Sequence, residues 1–363
     1  MKPEWDHKNS ILQISGSLYR YFGMDKGHGS DKDLDAWLIE KDPRCIITVL
    51  IDAMGTSILK KHLAEDSFLR SHMMKEVSTV FPPTTAAATT AFFTGLSPME
   101  TGWLGWQEYF PEKDDNLILF FDQGQFTSIQ YEKGFVKEKL PVTRIYEALN
   151  SIGIKADTVW PAWSDHNGCE SFDELLDTAK LLSRENRFLY VYWDELDTLM
   201  HKHGTKADKV HQAVCSYDEK LQAFADGLDD DTALLIIADH SQIDVRDYDL
   251  SKDEEMCALM EHLPALEPRT AAFFIKDGCH KRFEQLFHER FRDDFILLNK
   301  QEVIESHLFG EGKAHERFEE LIGDYVGIAV GDLRLGWNKP AKGDHAGFVK
   351  EERMIPLILY RKN

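Results

Sequence analysis

The stretch Cys45-Ile46-Ile47-Thr48-Val49-Leu50-Ile51-Asp52-Ala53-Met54-Gly55 decides how the chain folds. Its first seven residues are strand formers that run together without alternating with charges, as in a central parallel strand covered on both faces. The run stops at Asp52, and a helical pattern begins at about Ser57. Apolar runs of the same kind recur at 156–160, Phe188–Trp193 and 233–238, with amphipathic helical stretches at 173–182 and 206–225 between them. Strands alternating with helices predict an α/β fold with a central, mostly parallel sheet flanked by helices. In such sheets the working groups gather beyond the carboxyl ends of the strands. Asp52, the segment from Asp194 to Asp197, and Asp239-His240 all fall there.

After His240 the texture changes. Residues 243 to 335 hold shorter, mixed elements: a strand-like 270–275, a helix near 280–290, a strand-like 325–330, and turn signals at Asp277-Gly278 and Gly310-Glu311-Gly312. This predicts a small inserted α+β cap at 243–340. Residues 1–242 and 341–363 are then expected to form the core, which the chain re-enters with Gly343-Asp344-His345-Ala346-Gly347 and a last strand at 354–360.

Composition narrows the partners. The chain has 363 residues, 43% hydrophobic and 11% aromatic, enough to fill the core of one large α/β unit. With 42 basic against 63 acidic residues the net charge is −21, which argues against a nucleic-acid polymer or an anionic membrane as partner. An anionic small molecule stays admissible, because bound divalent cations reverse the local field. The start, Met1-Lys2-Pro3-Glu4-Trp5-Asp6-His7, carries no apolar leader core, and no stretch reaches the roughly 18 apolar residues of a membrane span. Five cysteines, Cys45, Cys169, Cys215, Cys257 and Cys279, are scattered and free of C-x-x-C spacing. They read as reduced thiols of a cytoplasmic protein. No extended apolar face announces a dimer.

A second informative stretch is 81–95, in which Phe81-Pro82-Pro83 delivers Thr84-Thr85 to a small-residue helix that closes at Gly95. Threonine is a mediocre helix former, so a pair of them at a helix entrance implies either an N-cap or a hydroxyl needed for chemistry. A helix N-terminus presents free N–H groups and a partial positive charge, both suited to phosphate.

Three Asp/His clusters stand beside it. In Asp194-Glu195-Leu196-Asp197-Thr198-Leu199-Met200-His201 the D-x-x-x-H spacing of Asp197 and His201 puts both side chains on one face of a helical turn. Asp239-His240 ends a strand, and His345 sits in a glycine-flanked loop. Mixed carboxylate and imidazole donors suit zinc, with manganese as the alternative. Two such ions about 4 Å apart can hold the attacking and leaving oxygens of a displacement at phosphorus. Singly, each piece has an ordinary explanation: an N-cap aspartate, a chance pair among 15 histidines, a loop histidine. Their common order and strand-end placement favour the chemical one.

The ordered set resembles the alkaline phosphatase superfamily, and within it the type I phosphodiesterase/nucleotide pyrophosphatase branch. The resemblance is carried by Leu50-Ile51-Asp52-Ala53-Met54-Gly55, by 81–95 with Leu96-Ser97-Pro98-Met99-Glu100-Thr101-Gly102, by Glu195-Leu196-Asp197 through His201, by Ile237-Ala238-Asp239-His240 and by Gly343-Asp344-His345-Ala346-Gly347. It spans about 45–359, with the cap matching loosely. The resemblance implies Thr85 as nucleophile, with Thr84 the weaker candidate. It implies one ion on Asp52, Asp239 and His240 that also contacts Thr85, and a second on Asp197, His201 and His345. Attack by Thr85 would give a phosphothreonine that water then hydrolyses, which agrees with the general need of a threonine hydroxyl for activation.

One position departs from the family pattern. Where nucleotide-hydrolysing members commonly carry an asparagine that binds a phosphoryl oxygen, this chain has Trp106 with Gln107 beside it. Gln107 is the candidate amide, and Trp103, Trp106 and Tyr109 are either an aromatic wall for the substrate or core. The substrate expected is a small phosphate ester or nucleotide, a diester or pyrophosphate ahead of a monoester. A monoesterase would need a further cation for the second negative charge. The sequence shows no obviously placed arginine, and His203, His166 and Asp165 are loose candidates for a third metal. Pro83-Thr84-Thr85 lacks the modifiable residue and arginine of a sulfatase, and the insertion is placed differently from that of the phosphomutases. A binding protein that has lost catalysis is the remaining alternative, disfavoured by an intact Thr85.

Overall fold

Cys45–Ile51 is buried along its whole length, because strands pack on both of its edges and helices on both of its faces. The computed structural model describes residues 5–337 and 339–362. Residues 1–4, part of the segment read as leader-free, lie outside the described residues. Seven strands form the central sheet, in the order Met73–Ser78, Met354–Arg361, Thr232–Ile237, Cys45–Ile51, Phe188–Trp193, Ala156–Pro161, Gly168–Cys169. From Thr232–Ile237 to Gly168–Cys169 the neighbours are parallel, while Met354–Arg361 runs antiparallel to both of its partners. The sheet is thus mostly parallel, as the run of apolar strands predicts.

Register places the chemistry. Leu50 pairs with Tyr192 on one side and with Ile237 on the other, so the three central strands end at the same level. Asp52, Asp194 and Asp239 therefore leave the sheet at one edge. Phe172–Ser183 and Asp208–Asp226 are the amphipathic helices the sequence predicts; the first is one residue longer at each end, and the second starts two residues later and ends one later. Val210, Val214, Tyr217, Leu221 and Phe224 of the second recur every three or four residues and are buried against the sheet.

A second seven-stranded sheet, entirely antiparallel, holds Phe295–Asn299, Tyr325–Ala329, Thr270–Phe273 and Ala265–Leu266. It continues through Gln107–Phe110, Asp115–Ile118 and Gln123–Gly124. The α+β elements after His240 are present, but they do not make this sheet alone. Three of its strands come from residues that the sequence grouped with the core. The link is a single pairing of Leu266 with Gln107, which no local pattern announces. Apolar clusters fill both faces, one around Phe81, Trp103 and Phe110 and one beneath the helix His280–Phe291. Among the described residues no helix is long and apolar enough to cross a membrane.

Candidate active site

The helix Thr85–Thr94 begins at the carboxyl edge of the central sheet and ends at Gly95, whose φ of +66° is open to glycine. The two threonines at its start divide the roles that the sequence left open. Thr84 occupies the N-cap position, yet its hydroxyl makes no cap and donates instead to the buried carboxylate of Glu267. Thr85, the first helical residue, turns its Oγ1 toward the Asp/His clusters: 3.3 Å from Asp52 Oδ2 and 3.2 Å from His240 Nε2.

Around that oxygen the structure gathers all six residues expected as ligands. His240 Nε2 lies 3.3 Å from Asp52 Oδ1 and 3.7 Å from Asp239 Oδ2. On the helix Glu195–His203, His201 Nε2 stands 3.3 Å from Asp197 Oδ2, so the D-x-x-x-H spacing does bring the pair together. His345 Nε2 approaches Asp197 Oδ1 at 3.9 Å, and its ring stacks on that of His240 at 3.9 Å between centroids. Asp52, Asp239 and His240 form one group compact enough to share an ion. Asp197 with His240 and His345, and His201 with Asp344 and His345, form two more.

Three observations show that these residues fit metal ions. First, every histidine spends its Nδ1–H on a backbone carbonyl: His201 on Gly343 at 2.9 Å, His240 on Ser241 at 3.2 Å, His345 on Pro83 at 3.0 Å. All three Nε2 atoms are thereby turned into the site. Second, the Asp239 Oδ2 atom is buried without a hydrogen-bond partner. Third, three carboxylates crowd one small space, two of them fully buried. Burial, then the charges of Asp239 and Asp197, push Asp52 well above the carboxylate range, and burial with Asp197 nearby takes Asp239 to about 6. Burial also lowers His240 to about 4 and His345 to about 3, which keeps both rings neutral and able to donate a lone pair. His201 is the exception. Burial would lower it, but the Asp197 carboxylate outweighs burial and raises it to about 10. Like charges held this close call for a cation between them.

The backbone is shaped for this purpose. Ala53 and Ala346, each directly after a site residue, hold φ of +60° and +77°, a region alanine rarely enters. Ala53 N–H donates to Asp239 Oδ1 at 3.0 Å, which ties the ends of two neighbouring strands together. A Cβ on Gly343 would lie 2.7 Å from the Met200 carbonyl oxygen, so only glycine lets the His345 loop come this close to the Asp197–His201 helix.

Several side chains that the sequence did not single out complete the arrangement. The Tyr192 hydroxyl donates to Asp52 Oδ2 from the neighbouring strand. Gln242 donates to Asp197, and Asp344 accepts the His345 N–H at 2.9 Å. Arg334 is the placed arginine that was not visible in the sequence. It lines the cleft, with Nε 2.5 Å from Asp344 Oδ2 and a terminal nitrogen 3.1 Å from Asp247. Asp344 stands in the Gly-Asp-His triplet and could have been named from it; the others come from distant parts of the chain.

A cleft of about 400 Å³ opens over the site, with Thr85, Trp106, Gln107, Glu267, Arg334 and Trp337 in its wall. Trp106 and Gln107 both stand in the wall of this cleft. The Trp106 N–H donates to Glu267 at 2.7 Å, and the buried Gln107 Oε1 has no partner. Trp103 packs in the apolar cluster with its indole N–H on the Leu140 carbonyl, and Tyr109 stacks on His262. For these two the core reading holds better than the aromatic wall. His166 and Asp165 bond to Asp157 and Lys133, and none of His203, His166 and Asp165 joins the three clusters.

Among solved structures the chain resembles murine ectonucleotide pyrophosphatase/phosphodiesterase 5, with a TM-score of 0.66 and 17% identity over 86% of this chain and 87% of that one. It also resembles phosphonoacetate hydrolase from Sinorhizobium meliloti 1021, solved with phosphonoformate, with a TM-score of 0.65 and 16% identity over 88% and 90%. An inactive threonine-to-alanine variant of the murine protein, in complex with AMP, scores 0.64 at 17% identity over 86% and 87%. At these identities the likeness concerns the fold. No curated protein sequence matches. The family model described as type I phosphodiesterase/nucleotide pyrophosphatase matches residues 46–262, well over half of the 363 and inclusive of Asp52, Thr85, Asp197, His201, Asp239 and His240. The chain belongs to the type I phosphodiesterase/nucleotide pyrophosphatase family of the alkaline phosphatase superfamily.

Proposed function

We propose that the protein hydrolyses phosphodiester or nucleotide pyrophosphate bonds, with Thr85 as nucleophile and a phosphothreonine intermediate. The observation that carries this is a helix-entrance hydroxyl 3.3 Å from Asp52 and 3.2 Å from His240, in a cluster that also holds Asp197, His201, Asp239 and His345. Asp52, Asp239 and His240 would hold one divalent cation and Asp197, His201 and His345 another, zinc ahead of manganese given the nitrogen and oxygen donors. When bound, the two ions supply Lewis-acid stabilisation of the charge that develops at phosphorus.

The chain's own groups do the rest. Thr85 Oγ1 loses its proton to water and attacks phosphorus, the bond from phosphorus to the leaving oxygen breaks, and water then cleaves the threonine ester, restoring the hydroxyl and releasing the phosphate product. The amide end of the helix Thr85–Thr94 faces the non-bridging oxygens with its partial positive charge. Gln107 offers an amide to the phosphoryl group, and Trp106 offers a ring to the organic substituent. A small phosphate ester or nucleotide is the expected substrate. Five unpaired thiols support a reducing, cytoplasmic setting.

A monoesterase is the second reading, favoured by Arg334 and Lys339 in the cleft wall. The Arg334 charge is already matched by Asp344 and Asp247, so the diester reading stands first. The test is turnover of a zinc- or manganese-loaded sample on an aryl phosphodiester and the matching monoester, with Thr85→Ala as blank. Diester preference is expected, with a loss on the order of 10³-fold or more in the variant. Monoester preference would overturn the diester reading, and activity retained by Thr85→Ala would remove Thr85 from the mechanism.

A further inference from the structure

The turn Glu267-Pro268-Arg269 brings one acid to the cleft on a firmly held backbone. Leu266, just before it, has φ of +68°, a region leucine rarely enters. A Cβ on Gly105 would lie 2.7 Å from Leu266 Cα, so glycine lets the two segments close, and the nearby Gln107 pairs with Leu266. Glu267 N–H donates to the Thr270 carbonyl at 3.0 Å, and Arg269 is anchored on Glu352.

The Glu267 side chain stands in the same cleft wall as Thr85, yet only 6% of the residue is exposed. Its hydrogen bonds fall on one oxygen. Oε1 accepts both the Thr84 hydroxyl and the Trp106 N–H, the second at 2.7 Å, and among the described residues nothing bonds to Oε2. Burial pushes the group from its ordinary 4.5 up to about 8. The two hydrogen bonds and the charge of His201 pull the other way, while Asp344 adds to the rise. Arg334 and Lys339 are the cations of the same wall. At pH 7 the acid is therefore mostly neutral. With Oε1 already accepting twice, its proton sits on Oε2, the oxygen left for the cleft. A carboxyl group kept neutral by burial acts as a hydrogen-bond donor.

Thr84 and Thr85 are one peptide unit, about 3.8 Å, apart. The acid that Thr84 holds is thus within reach of the phosphoryl group rather than of the far ends of its substituents. We propose that Glu267 is a further catalytic residue, donating from Oε2–H to a non-bridging oxygen of the phosphoryl group held at Thr85. Such a bond strengthens as negative charge builds on that oxygen in the transition state. The assignment rests on the hydrolase reading above and adds a residue to the same site.

Three variants test it. Glu267→Met fills the space without donor or acceptor. Glu267→Gln keeps an acceptor oxygen for Thr84 and Trp106 and turns an N–H into the cleft. Thr84→Val removes one tie to Oε1 and leaves Oε2 alone. With metal-loaded enzyme and methyl 4-nitrophenyl phosphate at pH 7, Glu267→Met is expected to lose about 10- to 100-fold in kcat/KM, chiefly in kcat. Glu267→Gln is expected to recover most of that loss.

Raising the pH gives a readout that a merely structural tie would not move. Ionised Glu267 still accepts from Thr84 and Trp106 but has no proton to donate. The parent-to-Glu267→Gln ratio of kcat/KM is therefore expected to be level below about pH 7 and to fall through about pH 8. Asp344, His201 and Glu108 are present in both proteins and cancel in the ratio. Calorimetric binding of inorganic phosphate to the metal-loaded proteins needs no turnover, and Glu267→Met is expected to bind about tenfold or more weakly than the parent. Glu267→Gln faster than the parent at pH 7 would reveal an ionised carboxylate facing phosphate and overturn the proposal. A Glu267→Met loss no larger than that of Thr84→Val overturns it too, as does a ratio that stays level to about pH 9. If Glu267→Met does not fold, the Glu267→Gln ratio decides by itself. Phosphate binding weakened in Glu267→Met, with no ester hydrolysed by the parent, overturns the hydrolase reading and keeps Glu267 as a phosphate donor.

Discussion

Thr84 and Thr85 carry the same hydroxyl one residue apart, and their surroundings give them different work. Thr84 is committed to Glu267, so Thr84→Val is expected to keep turnover within about an order of magnitude of the parent, against a loss of roughly 10³-fold or more in Thr85→Ala. Steady-state kinetics on the aryl diester decide it, and equal damage from both variants would dissolve the distinction. Glu108 shows the cost of a buried acid. One oxygen accepts the Leu104 N–H at 2.6 Å, the other has no partner, and burial pushes the group from its ordinary 4.5 up to about 8. Because the folded state binds this proton more tightly than the unfolded chain, the stabilisation is complete below the ordinary value and is lost as pH rises through about 8. Glu108→Gln stays neutral, so its Tm advantage over the parent is expected to widen between about pH 5 and about pH 9. A gap that stays flat across that range would sink the assignment.

The elements explain why distant residues act together. Strand Phe188–Trp193 lies beside Cys45–Ile51 in a register that sets Tyr192 next to Leu50, two residues before Asp52, and from there its hydroxyl fixes one Asp52 oxygen. Tyr192→Phe keeps the ring in the core and deletes only that bond. Metal affinity, measured by competition with a chelator, is expected to fall by about 10- to 100-fold with little change in far-ultraviolet dichroism. Undiminished affinity would mean that Asp52 needs no orientation from its neighbour. Helix Glu195–His203 supplies the adjacent pair by itself, since a four-residue step is close to one turn. His345 reaches that pair from the far end of the chain, on a loop that Gly343 lets close against Met200.

At the scale of the whole molecule, the second sheet is fastened to the central one through buried charge. The fully buried Arg269, just before the strand Thr270–Phe273, meets the fully buried Glu352, just before the strand Met354–Arg361. Glu352 also accepts the Gly347 N–H, two residues from His345. Glu352→Ala would leave the guanidinium buried and unpaired, a loss of about 3–5 kcal/mol. A urea titration is expected to show that drop together with lower metal occupancy, because the His345 loop loses its support. A change below about 1 kcal/mol would show that water or rearrangement relieves Arg269.

Much of this was legible locally. The apolar run ending at Asp52, the Thr-Thr helix entrance, the D-x-x-x-H step and the Asp-His pair each state a strand end, a helix start or a helical face, and those are properties of neighbouring residues. Because the sheet is parallel, strand ends must share one edge, so the sequence by itself determined the fold class and gathered the expected site residues there. What it could not state was pairing across long separations: Leu266 with Gln107, which draws 107–124 into the second sheet, or Arg334 with Asp344, which brings an arginine into the cleft. The choice of Thr85 over Thr84 was carried by resemblance, and only packing shows which hydroxyl is already engaged.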